Sequence, residues 1–276
     1  MKKYLFLFLL FPSLLFAATQ FNANATDSNG LILPPLALDT TRTFKIIIYA
    51  KIKHTSINAL FVMRDTTTSY GGFLETNTSP KMISWVWSGN GPGQQYRVSG
   101  TYDTTNYHFY VLAHQGNGGG GKIDTAYTHI YIDNNNRDSA ISEWGPLGSL
   151  GTIPATTKNN NFGREMYASR QGKGRYYAQM NVICAWIDTG KVFTQYWLND
   201  IVAHKGNMQY YKQLPGYCMG WNFQGYYADG ANVTTAPGWG GAAWNATVKT
   251  DHGTPVYPTS TAGPQVNLIT DPGGIK

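Results

Sequence analysis

Charge is scarce in this chain. Only 13% of its 276 residues are charged, and glutamate occurs three times, at Glu75, Glu143 and Glu165. Long helices draw on Ala, Glu, Lys and Leu, and the shortage of these residues excludes a helical bundle. The basic excess is equally thin. Setting aside Lys2 and Lys3 leaves 19 basic residues against 15 acidic ones. A nucleic-acid binder would cluster Lys and Arg on one face. The nearest approach, Ser169–Arg175 (SRQGKGR), is short and broken by glycine, so it reads as a solvated hairpin turn and nucleic acid is excluded as a partner. After the first residues no stretch approaches the roughly 20 apolar residues of a membrane helix.

Enzyme signatures are also missing. G-x-S-x-G, H-E-x-x-H and the P-loop do not occur. No two carboxylates stand closer than five residues in sequence. Glycoside cleavage needs a pair of carboxyls flanking the bond, and acids at i, i+2 or i+4 on one strand supply that most directly. The glycine run Gly118–Gly121 has no helix behind it to cradle a phosphate and reads as a hairpin tip. His108 and His114 share a strand face six residues apart, a spacing that reads as framework rather than ligation. The expectation is a non-enzyme that requires no cofactor.

Cysteine is reduced to Cys184 and Cys218. In an oxidising compartment an even pair predicts a disulfide, which would contribute roughly 3–4 kcal/mol through loop closure. Such a compartment is itself an expectation from the N-terminus. Lys2 and Lys3 precede an apolar run from Tyr4 to Phe11, then Pro12 and the small pair Ala17-Ala18. That pattern reads as a secretory leader over residues 1–18, which makes the rest of the chain secreted or cell-surface. Four N-x-S/T sequons, at Asn24, Asn77, Asn232 and Asn245, matter only in a glycosylating host.

What is abundant is aromatic and turn-forming. Aromatics reach 14% and glycine 31 residues, a composition of short strands punctuated by turns. Strand-like runs cover Thr43–Lys53, Asn58–Asp65, Lys81–Gly89, Gln95–Asp103, Asn106–Gln115, Thr125–Asp133 and Tyr176–Gly190. Turn signals stand at Gly71-Gly72, Gly91-Pro92-Gly93 and Asn134–Asn136. One helix is expected over Thr194–Gly206, capped by Thr194, with Trp197, Leu198 and Ile201 on its buried face. The fold class is therefore all-β, an antiparallel jelly-roll sandwich with one short helix, over residues 19–215. From Pro215 onward the texture turns to Gly, Thr, Pro and aromatics. Residues 216–276 are expected as an irregular tail, partly packed on the sandwich or on a partner.

Two stretches resemble laminin-G-like members of the concanavalin A-like lectin/glucanase superfamily. Tyr107–Gln115 (YHFYVLAHQ) hairpins through a glycine-rich loop into His129–Asn136 (HIYIDNNN), like that family's strand ending in "lYvDG". Asn160–Asn207 follows with the family's later strands and short helix. Departures are Asn134 and Tyr176, where the family has glycine. The resemblance implies two face-to-face antiparallel sheets, one of them concave, that bind glycans or protein ligands. The glucanases of the superfamily carry E-x-D-x-x-E, which is absent here.

The candidate carbohydrate-binding residues are Trp85 and Trp87, at i and i+2 on one strand face, and Tyr96 across the next turn. Two indoles so spaced form a flat platform for sugar rings, or else fill the core between the sheets. Asp133, Asp138 and Asp65 are the candidate ligands of a structural Ca2+ at the sandwich rim, which some family members carry, although calcium takes six to eight oxygens. The expected partner is a polysaccharide or glycoconjugate. Two alternatives are a structural subunit that assembles with copies of itself through its tail, and a glycan-active hydrolase or lyase.

Overall fold

The computed structural model describes residues 17–21, 29–36, 38, 42–53, 58–64, 71–78, 81–88, 95–116, 127–137, 140–144, 160–163, 179–224, 235–236, 238–239, 245–250 and 259–262; in some strands only the backbone is described. In chain order the strands are β1 (Ala17–Phe21), β2 (Asn29–Leu33), β3 (Phe44–Ile52), β4 (Asn58–Arg64), β5 (Gly71–Thr78), β6 (Lys81–Ser88), β7 (Gln95–Thr101), β8 (His108–His114), β9 (Thr128–Ile132), β10 (Asn135–Asn136), β11 (Ala140–Trp144), β12 (Asn160–Phe162) and β13 (Met180–Asp188). Two helices follow, α1 (Gln195–Ala203) and α2 (Met208–Tyr211), and then β14 (Tyr217–Asn222), β15 (Thr235–Ala236), β16 (Gly238–Trp239), β17 (Ala246–Thr250) and β18 (Thr259–Ala262).

They form two antiparallel sheets packed as a jelly-roll sandwich. The first runs β10-β9-β8-β3-β13-β1-β18, with β14 beside the far half of β13 and β16 on β14. The second runs β11-β7-β6-β5-β4-β12-β2-β17-β15. The connections β1 to β2, β2 to β3, β3 to β4 and β7 to β8 each cross between sheets, so the layers are laced together rather than stacked.

Alternation along β3 shows how the layers are filled. Phe44, Ile46, Ile48, Ala50 and Ile52 point between the sheets, while Ile47 and Tyr49 point the other way, yet both sets are buried. The outer face of the first sheet is covered by the two helices, which is why β3 and β13 lack a solvent-exposed side. In β13 the register slips between Val182 and Cys184, and Ile183 and Cys184 both turn into the outer cluster. Rings tile that cluster: Tyr49 stacks on Phe109 at 4.2 Å and Trp186 on Tyr211 at 4.1 Å.

Helix α1 starts where the sequence places it. Thr194 Oγ1 accepts from the Trp197 amide at 3.1 Å, and Trp197, Leu198 and Ile201 are its buried residues. It ends through Lys205 (φ 42°) and Gly206 (φ 85°). A side chain on Gly206 would meet Ile183 Cγ2 at 2.9 Å, so glycine is required for space as well as for φ.

Two further segments supply strands to the sheets. Ala17 and Ala18 belong to β1, pairing with Ala262 and Thr261, and Ala18 is buried in the outer cluster. Removal of a leader through Ala18 would leave Thr19–Phe21, the residues that pair with β13. The stretch after Pro215 supplies β14 to β18, and these strands join both sheets. Its many aromatics are the reason: Trp221 and Phe223 are buried between the sheets.

The predicted disulfide is not formed; both cysteines are free. Cys184 pairs with Asn222, four residues beyond Cys218 on β14, an offset of roughly 13 Å along the strand. Disulfide Cα atoms come within about 7 Å. The two also face apart, Cys184 in the outer cluster and Cys218 against the core between the sheets. Burial pushes the Cys184 thiol well above its ordinary value, so it behaves as a small apolar side chain.

Candidate functional site

Trp85 is not on a surface. It is fully buried between the sheets, edge-on to Phe44 of the opposite sheet at 6.2 Å. The inward face of β6 carries Ile83 and Trp85 together, both at 0% exposure, so the indole fills core and cannot meet a sugar. Trp87 and Tyr96 are register partners across β6 and β7, but their side chains lie outside the described residues. Asp65 and Asp138 also lie outside them.

Asp133 has a structural task in its turn. β9 reverses into β10 through the two-residue turn Asp133-Asn134, closing on the Ile132–Asn135 pair. Asp133 adopts the left-handed conformation (φ 55°), not one of the three asparagines that follow. Its Oδ1 accepts from the Phe109 amide at 3.0 Å and its Oδ2 lies 2.7 Å from His108 Nδ1. The other ring nitrogen of His108 lies 2.7 Å from Asp103 Oδ2. Both carboxylate oxygens of Asp133 are thus engaged within the turn. Among the described residues no group of three or more His, Cys, Asp or Glu is placed to hold a metal ion.

The His108 clasp joins the crossover from the second sheet to the β9–β10 turn of the first. A neutral imidazole has one N–H, so two carboxylate partners call for the imidazolium. Burial alone would lower the His108 pKa, but the bonds to Asp133 and Asp103 outweigh it and raise the pKa above 6.5. Burial would raise Asp103; the amides of Asn106 and Thr105 with His108 overcome it and hold the carboxyl well below the usual carboxylate range. The raised histidine contributes stability that is complete below about pH 6.5 and lost as pH rises through its folded pKa. The depressed Asp103 contributes stability present above about pH 3.9 and lost on acidification through its folded pKa. Thermal melts across pH 5–9 are expected to show the wild-type melting temperature falling on the alkaline side, and His108→Gln flattening that slope. An unchanged slope in the variant would assign the pH dependence elsewhere.

A row of described aromatic side chains that reach solvent stands on a different strand, apart from the exposed Tyr196 of α1. Thr128, Ile130 and Ile132 of β9 point inward and are buried. Tyr127, 37% exposed, with the half-buried His129 and Tyr131, forms the outward row, its rings spaced roughly 6.8 Å along the strand. β10 has only two residues, and among the described residues no strand pairs beyond it. Tyr131 leans on Phe193 at 5.0 Å, and Phe193 on Trp197 at 5.7 Å, which anchors the row to α1. At the same end Gln195 Nε2 donates to the Asn134 carbonyl at 2.9 Å and to Asn199 Oδ1 at 3.0 Å. Asn134 Nδ2 donates to Asn199 Oδ1 at 3.2 Å. Rings beside exposed carboxamides can take the C–H face of a sugar and its hydroxyls together. The outward direction of Tyr127, His129 and Tyr131 is readable from strand alternation. The approach of Phe193, Gln195 and Asn199 from more than 60 residues away is not.

No family model and no curated protein matches the chain. Solved structures share its fold. One is a Bacteroides ovatus protein assigned to carbohydrate binding, with TM-score 0.56 and 13% identity over 90% of this chain and 60% of that one. This chain therefore spans less than two thirds of that neighbour. Another is the heptameric SAP-like pentraxin of Limulus polyphemus (TM-score 0.48, 10% identity, covering 68% of this chain and 82% of the pentraxin). A third is the CBM40 of the Ruminococcus gnavus IT-sialidase bound to α2,3-sialyllactose (TM-score 0.43, 11% identity, 64% and 98%). The class defined is an antiparallel jelly-roll β-sandwich.

Proposed function

We propose that this chain is an exported, non-catalytic carbohydrate-binding domain of the laminin-G/concanavalin A-like type. The observation that carries the reading is the outward row Tyr127–His129–Tyr131 on β9 with carboxamides at its end. Support also comes from the fold shared with a Bacteroides ovatus protein assigned to carbohydrate binding. The leader-like N-terminus supports export.

The non-catalytic part rests on the state of the clustered acids. A glycosidase needs a carboxylic acid that stays protonated beside an ionised partner. Asp103 is held ionised, and Asp133 is bound to the same histidine, so this cluster supplies no general acid. A glycan array with wild type and Tyr131→Ala tests the reading. Wild type is expected to bind, and the variant to lose on the order of tenfold in affinity, the worth of one stacked ring. No glycan bound above background would reject it, as would turnover of the bound glycan.

A further inference from the structure

Resting on that reading, we infer that the end of the β9 row is a subsite for an uncharged sugar, recognised through vicinal hydroxyls. Six residues make it: Tyr131, Phe193, Asn134, Asn136, Gln195 and Asn199. Asn136 is the register partner of Tyr131 across β9 and β10, so both side chains stand on the outward face, with Asn136 exposed. On the other flank, Phe193 packs against the Tyr131 ring at 5.0 Å. Two residues further along the chain, Gln195 opens α1, and Asn199 follows one turn later.

All four polar side chains are carboxamides, which suit hydroxyl groups and leave a ligand charge uncompensated. Their mutual bonds use Gln195 Nε2 and Asn199 Oδ1. Gln195 Oε1 and Asn199 Nδ2 take no partner among the described residues. An acceptor and a donor standing together in solvent match adjacent hydroxyls, each of which both donates and accepts. The turn that presents Asn134 is held by Asp133 in the His108 clasp, so the polar end is built before ligand arrives.

The test is a binding series with the whole chain against uncharged gluco-, manno-, xylo- and galacto-oligosaccharides and their sialylated, sulfated and uronic-acid counterparts. Uncharged ligands are expected to bind, with affinity changing less than about twofold between low and high salt, because no ion pair is there to be screened. Asn199→Ala and Gln195→Ala are each expected to weaken binding on the order of tenfold. Asn136→Ala, which leaves the helix contacts intact, is expected to weaken it by less. Melting curves establish that the variants are folded. Binding restricted to anionic glycans, or abolished by salt, overturns the subsite while leaving carbohydrate binding in place. So does full affinity in all three variants. Absence of any glycan binding overturns both.

Discussion

Replacing Asp188 with alanine is expected to lower the unfolding free energy by about 3–5 kcal/mol, because it leaves a lysine buried with its charge unmatched. Lys45 and Asp188 face each other across β3 and β13, both 1% exposed, with Nζ 2.8 Å from Oδ1. Lys45 also donates to the Gly190 carbonyl at 2.6 Å and lies 5.1 Å over the Trp197 ring. Asp188 accepts the Gly190 amide at 2.7 Å. The pair therefore pins three elements: the β3–β13 ladder, the turn after β13, and α1 above it. Gly216 completes the enclosure, since a Cβ there would stand 2.1 Å from Asp188 Oδ1. Lys45→Met should be similarly harmful, through a stranded carboxylate. Combining Lys45→Met with Asp188→Leu should recover most of the loss, since apolar replacement of a whole buried pair is often neutral. Denaturant unfolding of the two single variants and the double settles the point. Additive losses in the double variant would count against coupling.

Trp85→Ala is expected to cost about 3–5 kcal/mol, the penalty of emptying a large core site. In a chain of this size that is a fall in melting temperature on the order of 10 °C. Trp85 is pressed between β6 and the Phe44 ring of the opposite sheet, so its loss loosens the contact between layers more than any one strand. At a temperature where both proteins remain folded, glycan affinity should be unchanged. A variant that melts like wild type but binds glycan poorly would return Trp85 to the surface and contradict its burial.

The long strands were the legible part of this fold, and their chemistry explains why. β3, β6, β8 and β13 are rich in β-branched and aromatic residues, and α1 opens with a threonine before an apolar stripe. β5 was hidden because it begins with Gly71-Gly72, a pair that reads as a turn; here the glycines are ladder residues opposite Trp87 and Ser88. β12 and β14 to β17 are short and rich in Asn, Gly or Thr, and only their neighbours make them strands.

The site was less legible than the fold. Two tryptophans at i and i+2 look the same facing core or solvent, since alternation reports a shared face and not which face it is. A lone pair of cysteines reports parity, not proximity, and here they sit on opposite faces of one sheet. The motif ending in Asp133 marked the right turn for a reason outside metal chemistry: its carboxylate closes that turn onto His108.

The pairing of the first strand with the last has a kinetic meaning. Thr19 lies against Ser260, and β17 inserts between β2 and β15, so each sheet pairs an early strand with one much later in the sequence. Contacts of such sequence separation come late and slowly in folding. A chain emerging from the ribosome can build the β4–β7 meander early, yet neither layer is complete until β17 and β18 are made. Until then β1 and β2 expose unpaired backbone edges, the surfaces on which nascent β proteins aggregate.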